Sequence, residues 1–135
     1  MEMSFGPHKL SLEEPDIVRV TLHGQMGLKE VRETVAVAEE FKKGKGRIYL
    51  LVDASHGSGY SHEARRAIGE EPRLSPYTAI VLFGASTTMR AISALMIRAL
   101  ALLGRMPQGT MVFKDTEEEA RAWVADMRER NAKES

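Results

Sequence analysis

The chain has 135 residues, the size of one domain, and can bury a core without staples. It has no Cys, which excludes disulfides, thiolate metal sites and Cys nucleophiles. Nineteen Lys and Arg balance nineteen Asp and Glu, and this zero net charge argues against the basic surface that bulk nucleic-acid binding needs.

Residues 8–14 read as a strand, with Leu10 and Leu12 on one face, and Glu14-Pro15-Asp16 reads as a turn. In residues 17–23, Val18, Val20 and Leu22 alternate with Arg19, Thr21 and His23, which predicts a second strand in an antiparallel hairpin with the first. Leu28, Val31, Val35, Ala38 and Phe41 then recur at helical spacing, and Gly44 ends that helix. Residues 48–52 are continuously apolar, as in a parallel strand covered on both faces, and Asp53 closes them. Ser61 caps a helix that Pro72 stops. Residues 78–83 form a second buried strand. Ser86 or Thr87 caps a long apolar helix ending at Gly104, and residues 110–113 make a last short strand. Thr116 and Glu119 form a capping box, and Ala120, Trp123, Val124 and Met127 line one face of the final helix. The tail from Asn131 is expected to fray.

This order, β-β-α-β-α-β-α-β-α, predicts a single α/β domain. Its mixed five-stranded sheet starts with an antiparallel hairpin, and the helices pack on the sheet. Phe41, Leu50, Val81, Phe113 and Trp123 are expected in the core. Residues 1–7 lack the basic start and apolar run of a signal peptide, and the most apolar stretch, 91–104, is too short for a bilayer and holds Arg98 at its centre. A cytoplasmic protein without stable membrane insertion is expected.

In open α/β sheets, ligands meet the loops at the carboxyl ends of the parallel strands. The most polar of the expected loops spans residues 53–61, with Asp53, Ser55, His56, Ser58 and Ser61. Another, with Ser86, Thr87 and Thr88, opens a helix whose free N–H groups suit an anion, with Arg90 one turn in.

The element order, the Leu50-Leu51-Val52-Asp53 strand end and the closing segment from Phe113 through Trp123 to Val124 resemble the SpoIIAA-like branch of the STAS domains, over nearly the whole chain. That resemblance implies a non-enzymatic regulatory module that binds a protein partner, a signalling regulator or kinase, and is switched by phosphorylation of a Ser. In the family that Ser lies at a helix start within Asp-Ser-Ser-Gly. Here Gly57-Ser58-Gly59 lacks the preceding Asp, so Ser58 matches the motif better and Ser61 the position better. The fold's likeness to Sec14-type domains implies the alternative of a small apolar ligand.

Other chemistries find less support. Asp53, Ser86 and Lys114 stand where a receiver domain has its Asp, Ser or Thr and Lys, but His23-Gly24-Gln25 offers no acidic pair for Mg²⁺. His56 and His62 have no metal-ligand spacing, and Gly57-Ser58-Gly59 is not a Gly-x-Ser-x-Gly elbow. No catalytic residue, metal or cofactor is called for. The helix after Ser86 is apolar on more than one stripe. Met89, Leu95, Met96 and Leu102 are therefore expected either to lie under flanking helices or to form an apolar pocket or a homodimer contact.

Overall fold

Alternating apolar and polar residues build the N-terminal part of the sheet. In the computed structural model, which describes residues 2–104 and 111–134, β1 (Glu2–Phe5), β2 (His8–Glu13) and β3 (Ile17–Met26) form an antiparallel meander. Strand β1 makes the sheet six-stranded, one more than the sequence predicts. Its four residues are exposed or half-buried, so it carries little apolar signal, and it is held by pairing Met3 with Leu10 and Phe5 with His8.

The rest of the chain alternates: α1 (Leu28–Lys42), β4 (Tyr49–Tyr60), α2 (His62–Glu70), a 3-10 turn at Pro72–Leu74, β5 (Ala79–Phe83), α3 (Thr87–Leu102), β6 (Met111–Lys114) and α4 (Glu117–Glu134). Thr110 lies outside the described residues. The strands stand in the sheet in chain order, and β3 to β6 are parallel. Right-handed crossovers that all step the same way put their helices on one face. Val31, Val35 and Ala38 of α1, Ala64 and Ala67 of α2 and Met89 of α3 accordingly join one cluster with Val20, Leu50, Val52 and Leu82. The opposite face, with Tyr49, Leu51, Val81 and Phe83, is left to Ala120 and Val124 of α4.

Leu50 and Val81 are buried as expected. Phe41, Phe113 and Trp123 are only half-buried, at the rims of the two clusters. The tail from Asn131, expected to fray, is helical through Glu134, and Ser135 lies outside the described residues. The Asn131 side-chain amide donates to the Tyr49 hydroxyl at 2.9 Å, and the Asn131 backbone carbonyl accepts from Arg47 at 3.0 Å. Bidentate pairs of Arg121 with Glu13 and of Arg128 with Asp16, together with Arg19 to Glu117, fasten the same helix to β2, β3 and the turn between them. Planar guanidinium–carboxylate pairs fix orientation as well as adding energy. Helix α3 contrasts with it. Its first turn is anchored by Met89, but Ile92, Leu95, Leu102 and Leu103 face solvent, so the flanking helices do not cover it.

Candidate functional site

The stretch from Asp53 to Tyr60, expected as a loop, is strand. It pairs with the C-terminal part of β3, His23 beside His56, Gly24 beside Gly57, and Met26 beside Tyr60. Polar and glycine-rich sequence looks like a loop, yet backbone pairing needs no apolar side chain, and glycine suits places where another group approaches closely. A Cβ on Gly57 would lie 2.7 Å from the Leu22 Cβ. Gly57→Ala is therefore expected to cost about 1–3 kcal/mol through overpacking, read as a lower denaturant midpoint with unchanged slope.

The β3–β4 register shifts twice. Between the pairs Thr21–Asp53 and His23–His56, β4 spends one extra residue, and it spends another between Gly24–Gly57 and Gln25–Gly59. The second extra residue is Ser58. A bulge leaves its residue outside the ladder and re-aims its side chain. Gly59 follows at φ +92°, a left-handed conformation open to glycine. The Gly-Ser-Gly triplet is thus a bulge that presents a serine.

Ser58 is exposed, and it lines a cavity of about 120 Å³ with Gln25, Tyr60, Arg65, Met89 and Ser93. The other serines singled out from the sequence are committed. The Ser55 hydroxyl donates to Asp53 Oδ1 at 2.6 Å. The Ser61 hydroxyl accepts from the Ala64 N–H at 3.0 Å and caps α2, and that of Ser86 accepts from the Met89 N–H at 3.1 Å and caps α3. Ser58 has no hydrogen-bond partner among the described residues, and Arg65 across the cavity makes no ion pair among them. Sequence reasoning did not group Arg65 with Ser58. Its place one turn past the Ser61 cap, seven residues from Ser58, is the signal that could have done so.

Asp53 belongs to the other face of the sheet. Its carboxylate lies 3.8 Å from Arg19, and Arg19 also holds Glu117. It therefore does not confront Ser58. On the adjacent extension His56 stacks on His23, ring centroids 5.8 Å apart and nearly parallel. Among the described residues no three His, Asp or Glu side chains gather as a metal site.

At the start of α3, Thr87 and Thr88 are exposed, but Arg90 turns away from the free N–H groups. It donates to the Lys114 carbonyl at 3.0 Å and to Asp115 at 2.9 Å, and its guanidinium lies over Phe113. Met89, expected at a pocket or interface, seats α3 on the sheet in the protomer's own core and also lines the cavity beside Ser58. Leu95 and Leu102 are exposed, and the Met96 side chain lies outside the described residues.

An apolar cavity lies between α1, α2 and the sheet. It is lined by Val20, Val35, Leu50, Ile68, Tyr60 and Tyr77 and holds about 50 Å³. Burial there pushes the Tyr60 hydroxyl up to about 12 and raises that of Tyr77. Pockets for small-molecule ligands run to about 300–1,000 Å³, so a lipid chain does not fit this one. No described helix is long and apolar enough to cross a membrane.

A family model described as SpoIIAA-like matches residues 17–125. Among solved structures, the anti-sigma factor antagonist SpoIIAA in its unphosphorylated form is 17% identical, with a TM-score of 0.55, and the match covers 87% of this chain and 97% of that one. A protein from Shewanella loihica with a SpoIIAA-like fold is 15% identical, with a TM-score of 0.57, over 90% of this chain and 98% of its own. The Bacillus cell fate determinant SpoIIAA in its phosphorylated form is 20% identical, with a TM-score of 0.52, over 87% and 98%. These likenesses are likenesses of fold. No curated protein matches.

Proposed function

Because the chain belongs to the SpoIIAA-like family, we propose that it is a regulatory module that works by binding a protein partner and is switched by phosphorylation of Ser58. One observation carries this reading: the bulge at Ser58 presents an exposed hydroxyl with no hydrogen-bond partner among the described residues, beside a cavity that Arg65 also lines. Ser61 is the poorer acceptor, since its hydroxyl already caps α2. Two solved relatives are named as unphosphorylated and phosphorylated forms of SpoIIAA, which supports a fold that tolerates such a charge.

A phosphoryl group on Ser58 would add a charge of about −1.5 to −2 and three acceptor oxygens. Arg65 is the cation placed to meet them, and a guanidinium binds phosphate with two parallel hydrogen bonds. Asp53 is occupied on the far face, so repulsion from it does not oppose the charge. The modification would change the surface offered to a partner and leave the core untouched.

The test is incubation with cell extract and ATP, followed by phosphosite mapping. Phosphate is expected on Ser58, absent in Ser58→Ala and retained in Ser61→Ala. The latter should lose only about 1 kcal/mol of stability with its cap. Phosphate elsewhere, or on neither serine under conditions that modify a control STAS domain, would overturn the switch.

A further inference from the structure

Helix α3 is apolar on two opposite faces, and the protomer uses one. Met89 is buried, and Ile97 and Ala101 continue its face half-buried. On the far side stand Ile92, Leu95, Ala99 and Leu102, at spacings of three and four residues. Leu95 is 67% exposed and Leu102 is 88% exposed. A seam at this spacing, with a small residue near its middle, is what a second helix packs against.

Charge indicates the kind of helix. From Gly84 to Lys114 the chain has no Asp or Glu, while Arg90, Arg98, Arg105 and Lys114 are cationic. Asp115 pairs with Arg90. Arg98, exposed at the flank of the seam, makes no ion pair among the described residues.

We propose that the outer face of α3 docks an amphipathic helix of a protein partner, with its apolar seam on Ile92, Leu95, Ala99 and Leu102 and an acidic flank on Arg98. The proposal takes its partner class from the regulatory reading above and adds where and by what chemistry the partner binds. A second copy fits less well. An antiparallel twofold pairing centred on this seam would bring the two Arg98 side chains together, and α3 has no carboxylate to offset them. A lipid surface also fits less well, because α3 has no Trp, Tyr or Phe and, with Arg90 paired to Asp115, only Arg98 to sit among headgroups.

The experiment uses the full chain and two designed helical peptides. One has Leu along its seam and Glu on its flanks, and the other has Lys in place of every Glu. By fluorescence anisotropy the Glu peptide is expected to bind at least tenfold more tightly than the Lys peptide, a ratio of roughly 1.4 kcal/mol. Leu95→Glu with Leu102→Glu should abolish that binding and leave the circular dichroism spectrum unchanged. Arg98→Glu should reverse the preference between the peptides. Equal binding of both peptides, or of neither, overturns the proposal. Light scattering that finds a dimer, made monomeric by the Leu95 and Leu102 changes, overturns it in favour of a second copy. Flotation on phosphatidylcholine–phosphatidylserine vesicles with neither peptide bound overturns it in favour of a membrane. Ser58→Ala should bind the Glu peptide as the unchanged chain does. Failure at α3 with phosphate mapped to Ser58 therefore leaves the switch standing, and peptide binding without phosphorylation leaves only the docking face.

Discussion

Acidification from about pH 7.5 to about pH 5.5 is expected to destabilise the fold through His8, with a slope of at most about 1.4 kcal/mol per pH unit, one proton's worth. His8 is 1% exposed on β2. Its Nδ1 accepts the His23 N–H at 3.1 Å, so the neutral ring carries its proton on Nε2, and Nε2 is buried with no hydrogen-bond partner. Burial lowers the His8 pKa below its ordinary 6.5; the Gln25 backbone and the Glu30 carboxylate pull it up, and His23 pulls it down again. The unfolded chain therefore takes up a proton near 6.5 that the folded chain refuses until lower pH. Stability is complete above the unfolded value and is lost as pH falls toward the folded one.

Other acid-sensitive groups act in a different window. Hydrogen bonds from Arg121 to Glu13 and from Arg19 to Glu117 hold both carboxyls below their ordinary 4.5. Their contribution is intact above that value and is lost only as pH falls through their lower folded values. His8→Asn keeps an acceptor near the His23 N–H and removes the titration. Urea midpoints across the His8 window should fall in the unchanged chain and stay nearly level in the variant. Equal falls in both would rule out His8 as the cause.

The contrast between α3 and α4 shows where sequence was legible and where it was not. Strands β4 and β5 were readable because a continuous apolar run has few alternatives to a doubly covered position. Leu50, Leu51, Val81 and Leu82 occupy such positions. The extension of β4 was not readable, because His56, Gly57, Gly59 and Tyr60 are held by backbone pairing, which side-chain pattern does not report. For the same reason Ser58 was a candidate from its motif, while the bulge that distinguishes it from Ser61 emerged only with the register. Helix α3, the most apolar segment, reads either as covered by its neighbours or as open at a pocket or interface, and Leu95 and Leu102 are in solvent. Hydropathy states that a face must be covered, and it does not state by which chain.

Helix α4 is the reverse case, and its core contact should be the more fragile one. It begins Glu117-Glu118-Glu119 and is dense in Arg and Glu, but it covers the central strands on one face of the sheet, β4 and β5 above all. Val124 is 1% exposed, in the cluster with Tyr49, Leu51 and Val81. The cations fixed nearest in sequence, Arg121 and Arg128, are each committed to a carboxylate on β2 or the following turn. A carboxylate at position 124 would thus be buried among apolar groups, and an uncompensated buried charge costs about 3–5 kcal/mol. Domains of this kind hold about 5–15 kcal/mol in total, so Val124→Asp is expected to remove a large share of the stability and to lower the melting temperature by roughly 10–20 °C. Leu95→Glu, a larger hydrophobic replaced by the same chemistry, should stay within about 0.5 kcal/mol of the unchanged chain because its site is already wet. Thermal melts of the two variants side by side decide the matter. A Val124→Asp melt close to that of the unchanged chain would mean that α4 does not cover the second face.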